Sequence, residues 1–494
     1  MNSKTKLILI LAFALVLRLV GISARPIWYD EAFSILLAEQ GPAAILSGTL
    51  TADADSSAAE EHPPAYYFAL WGWIQLFGNS LAVVRLLSIA LSLGIVAFLY
   101  LIARHLFDEQ TALVSAFLAA ILPFQIHYGV EIRMYVLLTF WLTLATLALL
   151  KRQWILFSIA AALAQYTHNL AAFYLIPLAL TPVFQRDWKT LRSLVWAGFA
   201  ALALYSPWLI HVPAQLSKVT SSFWIERPGL EKIFTLLLIY LPHLPLPDNL
   251  LLPGLLFAAL TVTLAAFQTY RAQKEKSEHA KSGLWLAFLS FMTPLLLWLA
   301  SQISPIYVER SLLPSHAIFC IWLAWAFTQT KLPRSVQIFA FTLILMSAGI
   351  GFYQHLAYKG FPYGPYAALD QSIQSRLGQG DAVIHSNKLT YLPSFYFDRD
   401  LPQSYLINVP GSSTDTLSPV TRKILGLTYY ENMESASKDA ARIWFIIYQQ
   451  SIDEYRSQGF QTHPDIEYLN TNFILTSTET LDDVRLYLYT RSAP

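Results

Sequence analysis

Hydrophobic residues in this chain are grouped in long, nearly uninterrupted runs that are separated by short polar segments. A helix needs about 20 apolar residues to cross a membrane. The pattern predicts about eleven membrane-spanning helices, at residues 7–24, 80–103, 111–128, 134–150, 153–168, 170–184, 193–211, 250–268, 284–303, 311–329 and 335–356. Two shorter apolar stretches, 64–78 and 233–247, contain or adjoin prolines. We expect them to be re-entrant or juxtamembrane helices, and they would bring the number of spans to about thirteen if both crossed.

The pattern changes after the last apolar run, where short β-type segments alternate with helical ones. The predicted strands are DAVIHS (381–386), ARIWFIIY (441–448) and VRLYLYT (484–490), and the predicted helices are YLPSFYF (391–397) and SIDEYRSQGF (451–460). This alternation predicts a small α/β domain. The chain is therefore divided into a transmembrane module at 1–357, with its first outer loop at 25–79, and a soluble domain at 358–494. For the soluble domain we expect a lid or cap, with acceptor binding as the alternative.

Composition excludes several classes of protein. The chain has 494 residues, of which 55% are hydrophobic and 13% charged, whereas a soluble domain has about 25% charged residues. A purely soluble globule and a disordered chain are both excluded. The net charge of +1 gives no basic field for nucleic acid. The single cysteine, Cys320, excludes an intrachain disulfide and argues against a thiolate metal site.

Lysine and arginine in the short loops predict the orientation in the membrane, because cytoplasmic loops carry an excess of them. This places the N-terminus, with Lys4 and Lys6, in the cytoplasm and residues 358–494 outside. Arg18 interrupts the first apolar run, so we expect a retained span and no cleaved signal peptide. The unusual polar sequences then all fall on the outer side: WYDEAF (28–33), EEHPPAYY (60–67), HYGVEIRMY (127–135), YTHN (166–169), FWIERP (223–228) and SPIYVER (304–310).

Two adjacent carboxylates, Asp30 and Glu31, follow the first span at the start of an amphipathic helix. Acidic residues at a helix N-terminus are favoured by the helix dipole, which is the simpler explanation. A carboxylate at the membrane interface is also suited to act as a general base. The pair is therefore the candidate catalytic group.

Two arginines, Arg18 and Arg85, lie inside apolar runs. A charge inside a membrane is costly and indicates a functional site by default. The alternative is that both side chains reach towards the outer headgroups.

Further basic residues, His62, Arg133 and Arg310, lie at the edges of outer segments. His62 precedes a proline-led helix start and could be an ordinary surface residue, whereas Arg133 and Arg310 could form local ion pairs with Glu131 and Glu309. Together with Arg18 and Arg85, these three residues would form an electropositive pocket for a lipid-linked phosphate, since arginine matches phosphate geometry.

A divalent metal is also possible, with Asp30, Glu131 and His168 as candidate ligands and Glu31 and His127 nearby in the predicted topology. No HxH or HExxH spacing supports such a site.

The sequence resembles glycosyltransferase family 39 of the GT-C superfamily, which includes protein O-mannosyltransferases and lipid A aminoarabinose transferases. The resemblance is carried, in order, by Asp30-Glu31, HPP (62–64) with the aromatic helix ending in LFG (76–78), AVVRLLSIALSLGIVAFLY (82–100), EIRMY (131–135), YTH (166–168) and SPIYVERSLLP (304–314). The tail resembles the periplasmic α/β domain of the aminoarabinose transferases more loosely.

The resemblance implies a GT-C fold and an inverting transfer from a polyprenyl-phosphate sugar, without a nucleotide sugar, at the outer face of a bacterial plasma membrane. It makes Asp30 the base and Glu31 its supporting neighbour, and it places His62 and Arg310 near the donor phosphate. We expect substrate contacts from Glu131, Tyr135, His168 and Tyr66.

The chain also departs from the family. It lacks the lysine that follows HPP in mannosyltransferases, and Tyr135 lies near the position where relatives carry an aspartate. The sugar and the acceptor, whether lipid, glycan or protein, therefore stay open. A transporter or flippase of lipid-linked glycans is the alternative function, although it would be expected to have polar, broken helices at mid-membrane. A catalytically silent membrane scaffold is the third hypothesis for the function.

Overall fold

The structure, a computed structural model, describes residues 2–50, 62–213, 227–329, 332–357, 359–407 and 417–491. Its helices up to residue 209 are α1 (Ser3–Leu19), α2 (Tyr29–Glu39), α3 (Pro42–Leu50), α4 (Ala65–Phe77), α5 (Leu81–Leu106), α6 (Glu109–Ile121), α7 (Pro123–Tyr128), α8 (Tyr135–Leu150), α9 (Trp154–Thr167), α10 (Ala172–Ala179), α11 (Thr181–Gln185) and α12 (Trp188–Leu209). The next helices are α13 (Glu231–Tyr240), α14 (Asp248–Lys274), α15 (Ala280–Ser301), α16 (Leu313–Thr328) and α17 (Arg334–Ala357).

The remaining elements alternate between helix and strand. They are α18 (Tyr366–Gln374), β1 (Asp381–His385), α19 (Lys388–Phe397), β2 (Gln403–Leu406), α20 (Pro419–Leu425), β3 (Tyr429–Tyr430), α21 (Met433–Ser437), β4 (Arg442–Tyr448), α22 (Gln449–Ser457), α23 (Pro464–Asn472), β5 (Phe473–Leu481) and β6 (Val484–Arg491). Short 3₁₀ turns occur at Asn169–Ala171 and Glu309–Leu312.

Helix occupies every apolar run that the sequence predicts to span the membrane. Among the described residues, five helical segments are long and apolar enough to cross a membrane: Leu81–Leu106, Asp248–Lys274, Ala280–Ser301, Glu309–Thr328 and Arg334–Ala357. Shorter apolar helices lie at Glu109–Ile121, Tyr135–Leu150, Trp154–Thr167 and Asn169–Gln185. The polytopic helical architecture expected from the sequence is confirmed.

The apolar run at 111–128 is broken in the structure. Helix α6 ends at Ile121, Leu122 has an extended backbone, and Pro123 begins α7. Proline has no backbone N–H and disfavours a helical conformation at the residue before it. The carbonyls at the end of α6 are therefore left available for side-chain donors.

The chain forms two compact units. The first contains Met1–Ile22, His62–Tyr66 and Ala82–Ala357, and the second contains Ser23–Glu61, Tyr67–Leu81 and Tyr358–Pro494. By its contacts, most of the first outer loop therefore groups with the C-terminal residues.

Helix α16 forms the centre of the first unit and packs against α6, α8, α14 and α15. Fifteen of its residues, Leu313–Phe327, are buried, as expected for a helix that is hydrophobic on all sides. Its buried histidine, His316, is hydrogen-bonded on both ring nitrogens, to the Tyr240 carbonyl at 2.8 Å and to the Gln125 side chain at 3.0 Å.

A six-stranded sheet of order β3-β2-β1-β4-β6-β5 forms the core of the second unit. Strands β3, β2, β1 and β4 are parallel, whereas β6 runs antiparallel to β4 and β5 antiparallel to β6. The central strand β4 is buried almost throughout, which is typical of a parallel strand covered on both faces. The α/β character predicted for the tail is confirmed, and β2, β3 and β5 are strands that the sequence pattern did not indicate.

Candidate functional site

Four residues predicted from separate sequence segments form one cluster in the first unit. The ring centroid of His62 lies 4.6 Å from that of His168, and the His168 ring lies 5.4 Å from that of Tyr135. The guanidinium carbon of Arg310 is 5.0 Å from the centroid of the Tyr135 ring. We call His62, His168, Tyr135 and Arg310 the imidazole–arginine cluster.

Three members of the cluster lie where a helix begins or ends. Tyr135 is the first residue of α8, and Arg310 lies in the 3₁₀ turn that leads into α16. His168 follows α9, and its Nδ1 accepts a hydrogen bond of 3.1 Å from the backbone N–H of Leu170. This bond orients the imidazole and caps the short 3₁₀ helix that follows.

The electrostatic surroundings of the cluster are positive. His168 is 5% exposed and lies in the electrostatic field of His62, Arg133 and Arg310. Arg133 is also buried. A group of histidines and arginines at helix termini matches the charge and geometry of a phosphate.

Local ion pairs with Glu131 and Glu309 were the alternative explanation for the positions of Arg133 and Arg310. Glu309, which precedes Arg310, forms an ion pair with Lys232 at 2.8 Å. Glu131 is 7% exposed, and its backbone carbonyl accepts a hydrogen bond of 2.7 Å from the Ser88 hydroxyl. The carboxylate of Glu309 is thus engaged by a lysine.

Tyr66 is 1% exposed and lies in the first turn of α4, a helix that begins three positions after His62. The structure therefore buries this candidate substrate contact near the start of the aromatic helix.

Arg18 is fully buried and is bound by protein groups. Its Nε donates to Ser92 Oγ at 2.7 Å, and its terminal nitrogens donate to the carbonyls of Ala119 and Ala120 at 3.2 Å each. Further bonds reach the carbonyls of Ala14 at 3.1 Å and Gln125 at 3.5 Å. The arginine thus caps the C-terminal end of α6, where helix carbonyls lack intrahelical partners, and this geometry favours a structural role.

Arg85 is a further buried arginine of the first unit. It is completely buried in α5, and its Nη1 donates a hydrogen bond of 2.6 Å to the carbonyl of Ile22. The bond ties α5 to the segment that follows α1.

The predicted acids lie in the second unit, in the first turn of α2. Asp30 is half-buried and Glu31 is 2% exposed. The residue that precedes the helix, Trp28, forms no side-chain cap, so the helix dipole alone already favours acidic residues there. The Ser34 hydroxyl donates a hydrogen bond of 2.8 Å to the Asp30 carbonyl one turn earlier in the helix.

Residues from the C-terminal part of the chain contact the start of α2. Arg25 and Trp28 both lie against Tyr363: the Arg25 guanidinium carbon is 4.7 Å from its ring centroid and donates to its hydroxyl, and Trp28 forms an antiparallel bridge with it. The Lys388 ammonium lies 5.4 Å from the centroid of the Tyr29 ring. Nothing in the sequence indicates these pairs, because each joins positions far apart in the chain.

The metal hypothesis gains no support from the structure. Over the ranges that the structure describes, no group of three or more His, Cys, Asp or Glu side chains is arranged to hold a metal ion.

Two predicted outer segments lie partly outside the described residues. These are residues 60 and 61 of EEHPPAYY and residues 223–226 of FWIERP.

Comparison with known proteins defines the class of fold. Residues 61–211 match the family model described as dolichyl-phosphate-mannose-protein mannosyltransferase. No curated protein sequence matches the chain. Among solved structures, ArnT from Cupriavidus metallidurans in the apo state is similar, with a TM-score of 0.63 and 14% identity over 99% of this chain and 98% of that chain.

Two further structures extend this comparison. ArnT from the same organism bound to undecaprenyl phosphate gives a TM-score of 0.59 and 13% identity over 100% of this chain and 99% of that one. The oligosaccharyltransferase of Archaeoglobus fulgidus tethered with an acceptor peptide gives 0.55 and 13% identity over 99% of this chain and 74% of that one. The protein has the GT-C fold with a C-terminal α/β region, and the resemblance stated from the sequence is confirmed for the fold.

Proposed function

We propose that this protein is an integral membrane glycosyltransferase that moves a sugar from a polyprenyl-phosphate donor to an acceptor. The observation that carries the proposal is the imidazole–arginine cluster, which lies in a GT-C fold beside the buried Arg133. The similar ArnT has been observed with undecaprenyl phosphate bound, and the similar oligosaccharyltransferase with a tethered acceptor peptide. Both lend support to a lipid-linked donor and a separate acceptor.

The cluster is assigned to the phosphate of the donor. Arg310 and Arg133 supply guanidinium groups that pair with phosphate oxygens, and His62 adds an imidazole donor. When the bond between sugar and phosphate breaks, negative charge grows on the leaving phosphate. Cations placed beforehand at that position lower the barrier because they stabilise the charge as it develops.

Asp30 is assigned as the general base and Glu31 as its supporting neighbour. The acceptor hydroxyl oxygen attacks the anomeric carbon and forms the new glycosidic bond, while the bond between that carbon and the phosphate oxygen breaks. The hydroxyl proton passes to the Asp30 carboxylate, and polyprenyl phosphate leaves with the bonding electron pair. A single displacement of this kind inverts the configuration of the sugar.

The reaction is assigned to the outer face, at a bacterial plasma membrane with the N-terminus in the cytoplasm. Contacts within the first unit support this sidedness, because His62, His168 and Arg310 come from different predicted outer segments and yet adjoin one another. Predicted cytoplasmic segments also contact each other: Arg152 pairs with Asp187 at 2.6 Å.

The sugar and acceptor are assigned only by class. Glu131, His168, Tyr135 and Tyr66 are the proposed substrate contacts, since an aromatic ring can pack on the apolar face of a hexose or pentose. The acceptor carries a hydroxyl group on a lipid, a glycan or a protein.

The purified protein in liposomes, supplied with polyprenyl-phosphate sugars labelled in the sugar, tests the proposal. We expect release of polyprenyl phosphate together with labelled glycosylated acceptor. Transbilayer movement of the intact labelled lipid without cleavage of the sugar–phosphate bond would identify a flippase and overturn the proposal. A structure with added polyprenyl phosphate should place the phosphate against His62 and Arg310, and density elsewhere would remove the cluster from this role.

A further inference from the structure

Helix α2, which carries the two acids, is held at both ends by the C-terminal part of the second unit. At its start, Tyr363 contacts Trp28 and Lys388 covers Tyr29. At its last residue, Glu39 forms an ion pair with Arg399. Between these points α2 packs along α19. The orientation of the first turn of α2 is therefore set by the α/β domain.

Lys388 is the unusual member of this set. It is 4% exposed, and lysine is almost never fully buried unless its charge is compensated. Its ammonium lies over the ring of Tyr29 at 5.4 Å, within the range of a cation–π contact. A contact of this kind offsets only part of the cost of removing an ammonium from water.

The dipoles of two helices add to the free-energy cost of burying the Lys388 ammonium. Lys388 is the first residue of α19, and Tyr29 is the first residue of α2. The N-terminus of a helix carries partial positive charge, so two positive helix ends and an ammonium are brought together there. Asp30 and Glu31 follow Tyr29 directly in the chain. Their negative charges can offset the positive charge of the ammonium and of the two helix ends.

We propose that Lys388 is a positioning residue for the acid pair. Its charge fixes the Tyr29 ring and, through it, the first turn of α2, and it supplies the countercharge for the carboxylates that follow. The C-terminal α/β domain thereby takes part in catalysis as the support of the base. This inference rests on the proposed function, because it assumes that Asp30 is the base.

Variants of both partners in the purified full-length protein test the proposal. Lys388→Met keeps the length of the side chain and removes the charge, whereas Lys388→Arg keeps the charge. Tyr29→Leu removes the ring, and Tyr29→Phe keeps it. Lys423→Met, at an exposed lysine of the same domain, serves as the matched control.

We expect Lys388→Met and Tyr29→Leu each to lower kcat by about tenfold, the size of effect expected from a desolvated cation–π contact, with the KM for the donor unchanged. Lys388→Arg, Tyr29→Phe and Lys423→Met should keep wild-type kcat. Combining Lys388→Met with Tyr29→Leu should add little to either change, because both remove the same contact.

Two other outcomes would overturn the inference while leaving the proposed function intact. One is an active wild-type enzyme whose kcat is unaffected by Lys388→Met. The other is a loss of kcat in Lys388→Met that Lys388→Arg does not restore, in protein whose melting temperature equals that of the wild type. A wild-type protein that transfers no sugar from any polyprenyl-phosphate donor would instead overturn the proposed function.

Discussion

The guanidinium carbon of Arg310 lies 5.0 Å from the centroid of the Tyr135 ring. The two residues belong to different outer segments of the predicted topology, and the contact fixes the arginine beside His168, the next ring in the cluster. A flat guanidinium can stack on an aromatic face, and this contact orients the arginine within the cluster.

Replacing this arginine should weaken donor binding. We expect Arg310→Met to reduce the affinity for polyprenyl phosphate by roughly 10- to 100-fold, the loss expected when hydrogen bonds to a charged group are removed. Titration with the lipid phosphate in detergent measures the change. Arg271→Met, on the predicted cytoplasmic side, is the matched control and should bind like the wild type; equal affinity in both variants would remove Arg310 from the phosphate site.

The buried Arg18 should matter for stability. Its loss leaves the carbonyls of Ala119 and Ala120 without their donor, and each unsatisfied buried polar group costs about 1–3 kcal/mol. We expect Arg18→Met to lower the midpoint of thermal unfolding in detergent, whereas Lys6→Met on the same helix should not. Weakened donor binding at unchanged thermal stability would instead support the sequence-based hypothesis that Arg18 binds the donor phosphate.

Stability of the α/β domain should depend on pH through Asp370. Burial raises the pKa of Asp370 to about 8. The charge of Asp398 also raises this pKa, whereas the hydrogen bond from Ser394 lowers it. Between the ordinary value of 3.8 and about 8 the folded domain holds a proton that the unfolded chain has released. The protonated Asp370 therefore stabilises the folded domain fully below pH 3.8, and this stabilisation is lost as the pH rises through about 8.

Local hydrogen exchange in β1 and α19 measures this effect. Protection should fall between pH 6 and roughly pH 8 in the wild type, and Asp370→Asn should remove most of the dependence because an amide does not titrate. Asp453→Asn, at an exposed acid, should keep the wild-type profile. An unchanged slope in Asp370→Asn would show that another group controls the domain.

The orientation of the protein can be tested with introduced cysteines. The only native cysteine, Cys320, is buried, so it contributes little background to labelling. We expect a membrane-impermeant maleimide to label Ser457→Cys in intact spheroplasts and Ser277→Cys only after permeabilisation. The reverse pattern would overturn the topology and, with it, the assignment of the site to the outer face.

Much of the fold follows from local patterns in the sequence. Periodic apolar runs identify helices, and the strongly apolar strands β1, β4 and β6 are predicted close to their observed bounds. Strand β5, with mostly exposed or half-exposed residues and a polar sequence, and the two-residue β3 lack such a pattern. The break before α7 is set by Pro123, which a hydropathy pattern does not register.

Some residues of the candidate site could likewise be predicted from the sequence, whereas the roles of others depend on tertiary packing. His62, His168 and Arg310 were predicted because polar residues next to apolar runs are conspicuous, and the structure brings them together. Arg18 has the same sequence signal, yet its donors are bound to helix carbonyls. Lys388 gives no signal at all, since only tertiary packing makes a lysine after a strand a buried cation.

The central claim is that Asp30 removes the proton from the acceptor in a lipid-phosphate-dependent sugar transfer. Turnover of Asp30→Asn with a polyprenyl-phosphate sugar tests it most directly, with binding of polyprenyl phosphate measured on the same sample and Asp248→Asn as the control. We predict a loss of turnover of about 10²- to 10⁴-fold, as expected for removal of a general base, with donor affinity and folding retained. Turnover equal to that of the wild type would contradict the account.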